Sequence, residues 1–271
     1  MPETLKLLAI FPHPDDETLG MGGTLATYAA QGIETYLVCA TRGERGWNGP
    51  VDEYPGLAGL GRIREQELLC AAGHLGLHDV SFLDYIDGDV DQADPHVLIA
   101  RLADEIRRVR PQVVVTFAPD GSYGHPDHIA LAQATCAAVV VAADAGYAEH
   151  AVAAPHRVSK LYYLVDSLRL VEQLRALMGG IRMTIDGVER SHVGWEDWAI
   201  TTRVDCSAVF DRLLNAVRCH QSQLAGLGPL MELPRETLLD LFGEGTFVRA
   251  FSFVNFGRAT ETDLFDGLRS P

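Results

Sequence analysis

The chain has 271 residues, 47% of them apolar, and its 37 acidic side chains outnumber 22 Lys and Arg for a formal charge of −15. That length buries a substantial core and suits one large α/β domain spanning 1–271. The acidic balance argues against nucleic acid or an anionic membrane as partner.

Taken in order, the chain alternates between buried strands and helices. The apolar run 5–11 reads as a strand stopped by Pro12, and 18–30 reads as a helix. Gly20-Met21-Gly22-Gly23 lies too late for a pyrophosphate turn and suits close helix–sheet packing. A strand over 34–41 leads to a polar, Gly-rich loop over 42–61, a helix over 62–72 and a short strand over 81–85. A helix over 96–110, a strand over 113–118 and a helix over 129–143 follow. This rhythm predicts a single Rossmann-like domain: a mainly parallel sheet with helices on both faces.

The C-terminal half is less regular. It reads as a strand over 160–166, a helix over 167–178 capped by Ser167, and a hairpin about Asp186-Gly187. A strand over 199–205, an amphipathic helix over 207–223 and a strand over 246–254 complete a C-terminal hairpin and strand addition. Cys39, Cys70, Cys136, Cys206 and Cys219 form no CxxC pair and read as reduced thiols inside elements. No basic and apolar leader opens the sequence, and no apolar stretch is long enough to span a bilayer. A soluble cytoplasmic protein is expected.

Two clusters carry the chemistry. His13, Asp15, Asp16 and Glu17 follow the first strand; His125, Asp127 and His128 follow the strand over 113–118. Ligands bind at such carboxyl ends in open parallel sheets. His13 and Asp16 are three apart, as are His125 and His128, so one turn can aim each pair at a point. Either cluster alone is equally consistent with a capped turn, but two after buried strands indicate a metal site. Imidazole nitrogens with a carboxylate suit Zn²⁺, and also Fe²⁺. His13, Asp16 and His128 could hold the ion with Asp15 and His125 at the open position, although spacing alone does not choose among them.

PHPDDE with a later GHPDH, together with TRGERG, the helix around Arg64, Asp87-Gly88 and Tyr123, resembles the LmbE/PIG-L-like family of metal-dependent N-deacetylases. The likeness is strong over about 1–146, the metal-site half; over 147–271, the half expected to complete the pocket, only His220-Gln221-Ser222-Gln223 is similar. The resemblance implies His13, Asp16 and His128 as metal ligands and Asp15 as general base. It implies that His125 stabilises the oxyanion or protonates the amine and that Asp127 orients His125. It further implies Arg64, Asp87 and Tyr123 as substrate-binding residues. Glu17 is expected to brace the following helix, and His220 is a candidate for the pocket rim. Arg42, Glu44, Trp47 and Asn48 are placed to shape the pocket.

The function so implied is zinc-dependent removal of an N-acetyl group from an N-acetylglucosamine-type sugar conjugate, a small-molecule substrate. An amidase of a larger acyl or thiol conjugate is the alternative within hydrolases. A non-catalytic metal-binding sensor or scaffold is the alternative from another class, though it would not need Asp15, His125 and Asp127. A homo-oligomer is compatible with the sequence.

Overall fold

The computed structural model describes residues 4–147, 153–179, 182–185, 187–257 and 259–269. Its main sheet contains β1 (Lys6–Phe11), β2 (Glu34–Cys39), β3 (Asp79–Phe82), β4 (Val113–Phe117), β5 (Lys160–Leu164), β6 (Thr202–Asp205) and β7 (Glu244–Ser252). Their order is β6-β7-β5-β4-β1-β2-β3. The run β5-β4-β1-β2-β3 is parallel, and β7 pairs antiparallel with both β5 and β6.

β1 and β4 are apolar along almost their whole length because both of their faces are covered. Leu7, Ala9 and Phe11 point to a layer containing α1 (Asp16–Ala30), α2 (Leu57–Leu75) and, later in the chain, α6 (Phe210–Cys219). Leu8 and Ile10 point to the opposite layer, α3 (Pro95–Val109) and α4 (Pro126–Ala142). The helix α5 (Leu168–Met178) starts from Ser167, whose hydroxyl accepts the Leu170 N–H as expected of a cap. From β1 the chain proceeds to β2 and β3 on one side, and from β4 to β5 on the other. The neighbours β1 and β4 therefore flank the topological switch point, and their carboxyl ends open a crevice there.

Several boundaries differ from the sequence reading. α2 begins at Leu57, because the glycines at 59 and 61 that suggested a loop sit inside the helix beside the fully buried Leu60. α4 begins at Pro126, so Asp127 and His128 stand in its first turn, where Pro is well tolerated. The helix expected over 207–223 ends at Cys219, which leaves His220–Gln223 in a turn beyond it. Arg182–Ile185 pairs antiparallel with Val188–Ser191, as a hairpin requires, while Asp186 lies outside the described residues. The expectation of thiols throughout fails for one pair: Cys70 on α2 and Cys219 at the end of α6 form a disulfide. Sequence separation hid it, because the two residues lie 149 positions apart and α2 meets α6 only in the folded layer. The glycines of α1 are required by close approach to the sheet and to α6: a Cβ on Gly20 would stand 2.6 Å from a Leu164 methyl on β5. A Cβ on Gly22 would stand 2.7 Å from a Leu213 methyl.

Candidate active site

The turn after β1 closes on itself. The Asp16 carboxylate accepts the His13 N–H at 2.9 Å, and the Asp16 N–H reaches the His13 carbonyl. The buried His13 ring has Nε2 3.1 Å from both Asp87 Oδ1 and Asp127 Oδ2. These carboxylates orient the ring and leave Nδ1 on the other side, 3.5 Å from Asp16 Oδ2 and 3.3 Å from His128 Nε2. His128 Nε2 is 3.6 Å from Asp16 Oδ1, and its ring stacks on Phe117 at 4.2 Å.

Two overlapping sets of potential ligand atoms lie within 4.8 Å of one another: His13, Asp16 and His128, and His13, His125 and Asp127. Both belong to the sequence-predicted constellation. In the second set the Asp127 oxygens are already engaged by the N–H groups of Gly88 and Val90 at 2.7 and 3.1 Å. Burial pushes the His128 imidazole down to about 3, with the Asp16 charge opposing, so it is neutral at physiological pH, the state that can coordinate a cation. Burial also acts to lower His13, but Asp87, Asp127 and Asp16 outweigh it and raise its pKa. His128 Nε2, His13 Nδ1 and the Asp16 carboxylate are the atoms that converge. The donor set therefore fits a divalent ion.

Asp15 sits beside this set with φ 107°, a conformation few non-glycine residues adopt. Two partners hold it there. The Glu17 carboxylate accepts the Asp15 N–H at 3.0 Å, and Arg64 Nη2 donates to Asp15 Oδ2 at 3.1 Å. Arg64 is buried and also donates to the carbonyls of Gly43 and Pro14, so it is not a surface partner of its helical neighbours. Burial pushes the Asp15 carboxyl up to about 6, with Arg64 opposing and the neighbouring Asp16 adding to the rise. Glu17 braces α1 as expected. Its second oxygen meets Thr18 Oγ1 and His220 Nε2, the latter at 3.2 Å. His220 is 1% exposed and stands behind Asp15, not at a pocket rim.

His125 Nδ1 accepts the Asp127 N–H at 3.1 Å, which leaves Nε2 to carry the proton of the neutral ring. Burial and nearby His13 lower the His125 pKa. The Asp127 carboxylate, expected to orient His125, turns instead to His13; the Asp127 amide is what meets His125. Asp87, expected on substrate, has one oxygen on His13 and the other accepting the Arg45 N–H at 3.1 Å. The Tyr123 hydroxyl lies 3.4 Å from His128 Nε2. Its loop passes through Ser122 at φ 65°, pinned by the Val193 N–H and by His192, which pairs with Asp166.

In the loop after β2, Glu44 is buried and accepts the Asp87 N–H at 3.1 Å. Arg42 pairs with Glu65 and Asp84, and Trp47 Nε1 donates to the Pro50 carbonyl. Asn48 donates to Gln223 at 2.7 Å, and Gln223 donates to the Gly46 carbonyl at 2.8 Å. Neither Gln223 nor His192 is given a role in the site by the sequence reading. The resemblance at His220–Gln223 was the available signal for the first; nothing local to His192 marked it.

Residues 8–139 match the family described as PIG-L: GlcNAc-PI de-N-acetylase. A curated relative from Thermobifida fusca, named 1D-myo-inositol 2-acetamido-2-deoxy-alpha-D-glucopyranoside deacetylase, is 37% identical, over 82% of this chain and 85% of its own. The fold is also that of N,N'-diacetylchitobiose deacetylase from Pyrococcus horikoshii (TM-score 0.66, 20% identity, covering 91% of this chain and 84% of that one). It is shared as well by the 4-carboxy-2-hydroxymuconate hydratase GalB from Pseudomonas putida KT2440 (TM-score 0.68, 23% identity, 94% and 100%). A hydratase and a deacetylase on one scaffold show that the fold alone does not choose the reaction. Sequence identity along most of both chains, with both histidine and aspartate clusters in place, does assign kinship: the chain belongs to the PIG-L family of N-deacetylases.

Proposed function

We propose that this protein is a metal-dependent N-deacetylase of an N-acetylglucosamine-type sugar conjugate, with His13, Asp16 and His128 as metal ligands and Asp15 as general base. The observation that carries the reading is the convergence of His13 Nδ1, His128 Nε2 and the Asp16 carboxylate beside a half-buried aspartate raised to about 6. A bound Zn²⁺ or Fe²⁺ would supply the Lewis acid that polarises the amide carbonyl and acidifies water.

The chain's own groups do the rest. Asp15 takes the proton of the attacking water, a task suited to a carboxylate whose pKa approaches neutrality. Arg64 and Glu17 hold it in place. His125 Nε2–H and the Tyr123 hydroxyl donate to the oxyanion, and Asp15 returns its proton to the departing amine. Asp87 and Asp127 fix the His13 ring, and Arg64 fixes the base. The products are acetate and a free amine.

The named activity of the Thermobifida fusca relative supports a substrate in which N-acetylglucosamine is joined to a polyol. No helix among the described residues is long and apolar enough to cross a membrane. Acetate release from a panel of N-acetylated sugar conjugates, with and without chelator, tests the proposal. Chelator-sensitive release from a glucosamine conjugate is expected; no release from any member, or release indifferent to chelator and restored metal, overturns it.

A further inference from the structure

Away from the crevice, α2 and the end of α6 bring a third set of potential metal-ligating atoms together. Cys70, His74 and Cys219 each offer one, and all lie within 4.8 Å of one another. Cys70 and His74 are four apart on α2, hence on the same helix face, and both are exposed. Cys219 faces them from α6. Beside them opens a depression of about 700 Å³, bordered by Arg62, Glu67, Cys70, Cys219 and Gln221. In the structure the two sulfurs are joined as a disulfide. Reducing surroundings favour the dithiol, and Cys70 is an exposed residue that a small thiol can approach.

We propose that Cys70, His74 and Cys219 form a redox-gated zinc site: closed as a disulfide when oxidised, and holding one Zn²⁺ when reduced. Two sulfurs and one imidazole are a soft donor set that suits zinc, and three protein ligands leave a fourth position for water. Reduction by two equivalents of a monothiol adds two electrons and two protons, breaking the S–S bond to two thiols and yielding the reductant's own disulfide. Zinc then displaces both thiol protons to solvent as two Zn–S bonds and one Zn–N bond form. Zn–S bonds of about 2.3 Å place the sulfurs roughly 3.8 Å apart. The Cα atoms stand 5.8 Å apart, which accommodates both states.

The site is distinct from the crevice but joined to it. The turn after Cys219 carries His220 to Glu17, and Ser222 donates twice to Glu67 on α2, each at 2.7 Å.

The experiment measures zinc stoichiometry after desalting, on the full chain oxidised or reduced with a phosphine, in the otherwise unaltered protein and in a His13→Ala background that removes the crevice ion. Reduction is expected to add one equivalent of zinc in both backgrounds. Cys70→Ser and His74→Ala, exposed positions whose replacement leaves the core intact, should each lose that equivalent. With Co²⁺ in place of zinc, the reduced protein should show thiolate-to-metal charge-transfer absorption that Cys70→Ser lacks. Equal stoichiometry in both redox states overturns the proposal, as does an added equivalent that persists in Cys70→Ser.

Discussion

The same sheet buries two clusters of charge, one at the carboxyl ends of β1 and β4 and one where β5, β6 and β7 meet the C-terminal segment. At the second, Glu261 is surrounded by donors. Lys160 and Arg249 reach one oxygen at 2.8 Å, Tyr162 and Thr202 reach the other at 2.7 Å, and Asn255 adds a further contact. At the first, Asp15, Asp16, Glu17, Glu44, Asp87 and Asp127 crowd around Arg64 and several imidazoles. A cluster that satisfies its own charges fixes the fold; one with an excess of aligned acceptors is built to receive something.

The largest effect expected from breaking this contrast is at Asp15. Asp15→Asn should lower kcat roughly 10²–10⁴-fold while retaining metal, because the amide cannot accept a proton. Asp16→Asn should instead lose metal. Metal analysis beside steady-state rates decides it, and the reverse pattern would mean that the two carboxylates exchange roles.

Glu261→Ala should do the opposite, leaving metal content and the rate per folded molecule unchanged. It strands buried Lys160 and so should cost about 3–5 kcal/mol of stability. Denaturant unfolding reads this directly, and an unchanged midpoint would remove the distinction between the clusters.

Acid should sharpen the comparison. Burial alone would raise the Glu261 carboxyl, but Lys160, Tyr162, Asn255 and Thr202 outweigh it and hold it at about 2. A folded-state value below the unfolded one gives stability that is complete above about 4.5 and lost as pH falls toward 2, roughly 3 kcal/mol in all. Glu261→Gln should flatten that part of the stability–pH curve, measured by thermal unfolding between those limits.

The smallest effect is expected at His220. His220→Ala releases the buried Glu17 carboxylate that holds the Asp15 amide, without touching the ligand set. About 1–3 kcal/mol of stability and around tenfold in kcat should be lost, with metal retained. A rate equal to that of the unaltered protein would show that Arg64 alone orients the base.

Legibility in the sequence divides along the same line. β1 and β4 were readable because strands buried on both faces are continuously apolar, and the two clusters because each sits at such a strand's end. The local partnerships were not. That Asp127 turns to His13, and that Arg64 grips Asp15 across 49 positions, depends on how β1, α2 and α4 converge, which no periodicity encodes. The helix start at Leu57 was masked by glycines, and the disulfide by distance along the chain.

The contact between His220 and Glu17 spans 203 residues. Closing a loop of that length is entropically slow, and such a pairing forms only after the intervening strands have found their places. The proposed ligands His13, Asp16 and His128 all lie in the first half of the chain, whereas the brace behind Glu17 waits for α6. During synthesis Asp15 therefore meets Glu17 and Arg64 first, and its surroundings gain their last restraint only when His220 arrives behind Glu17.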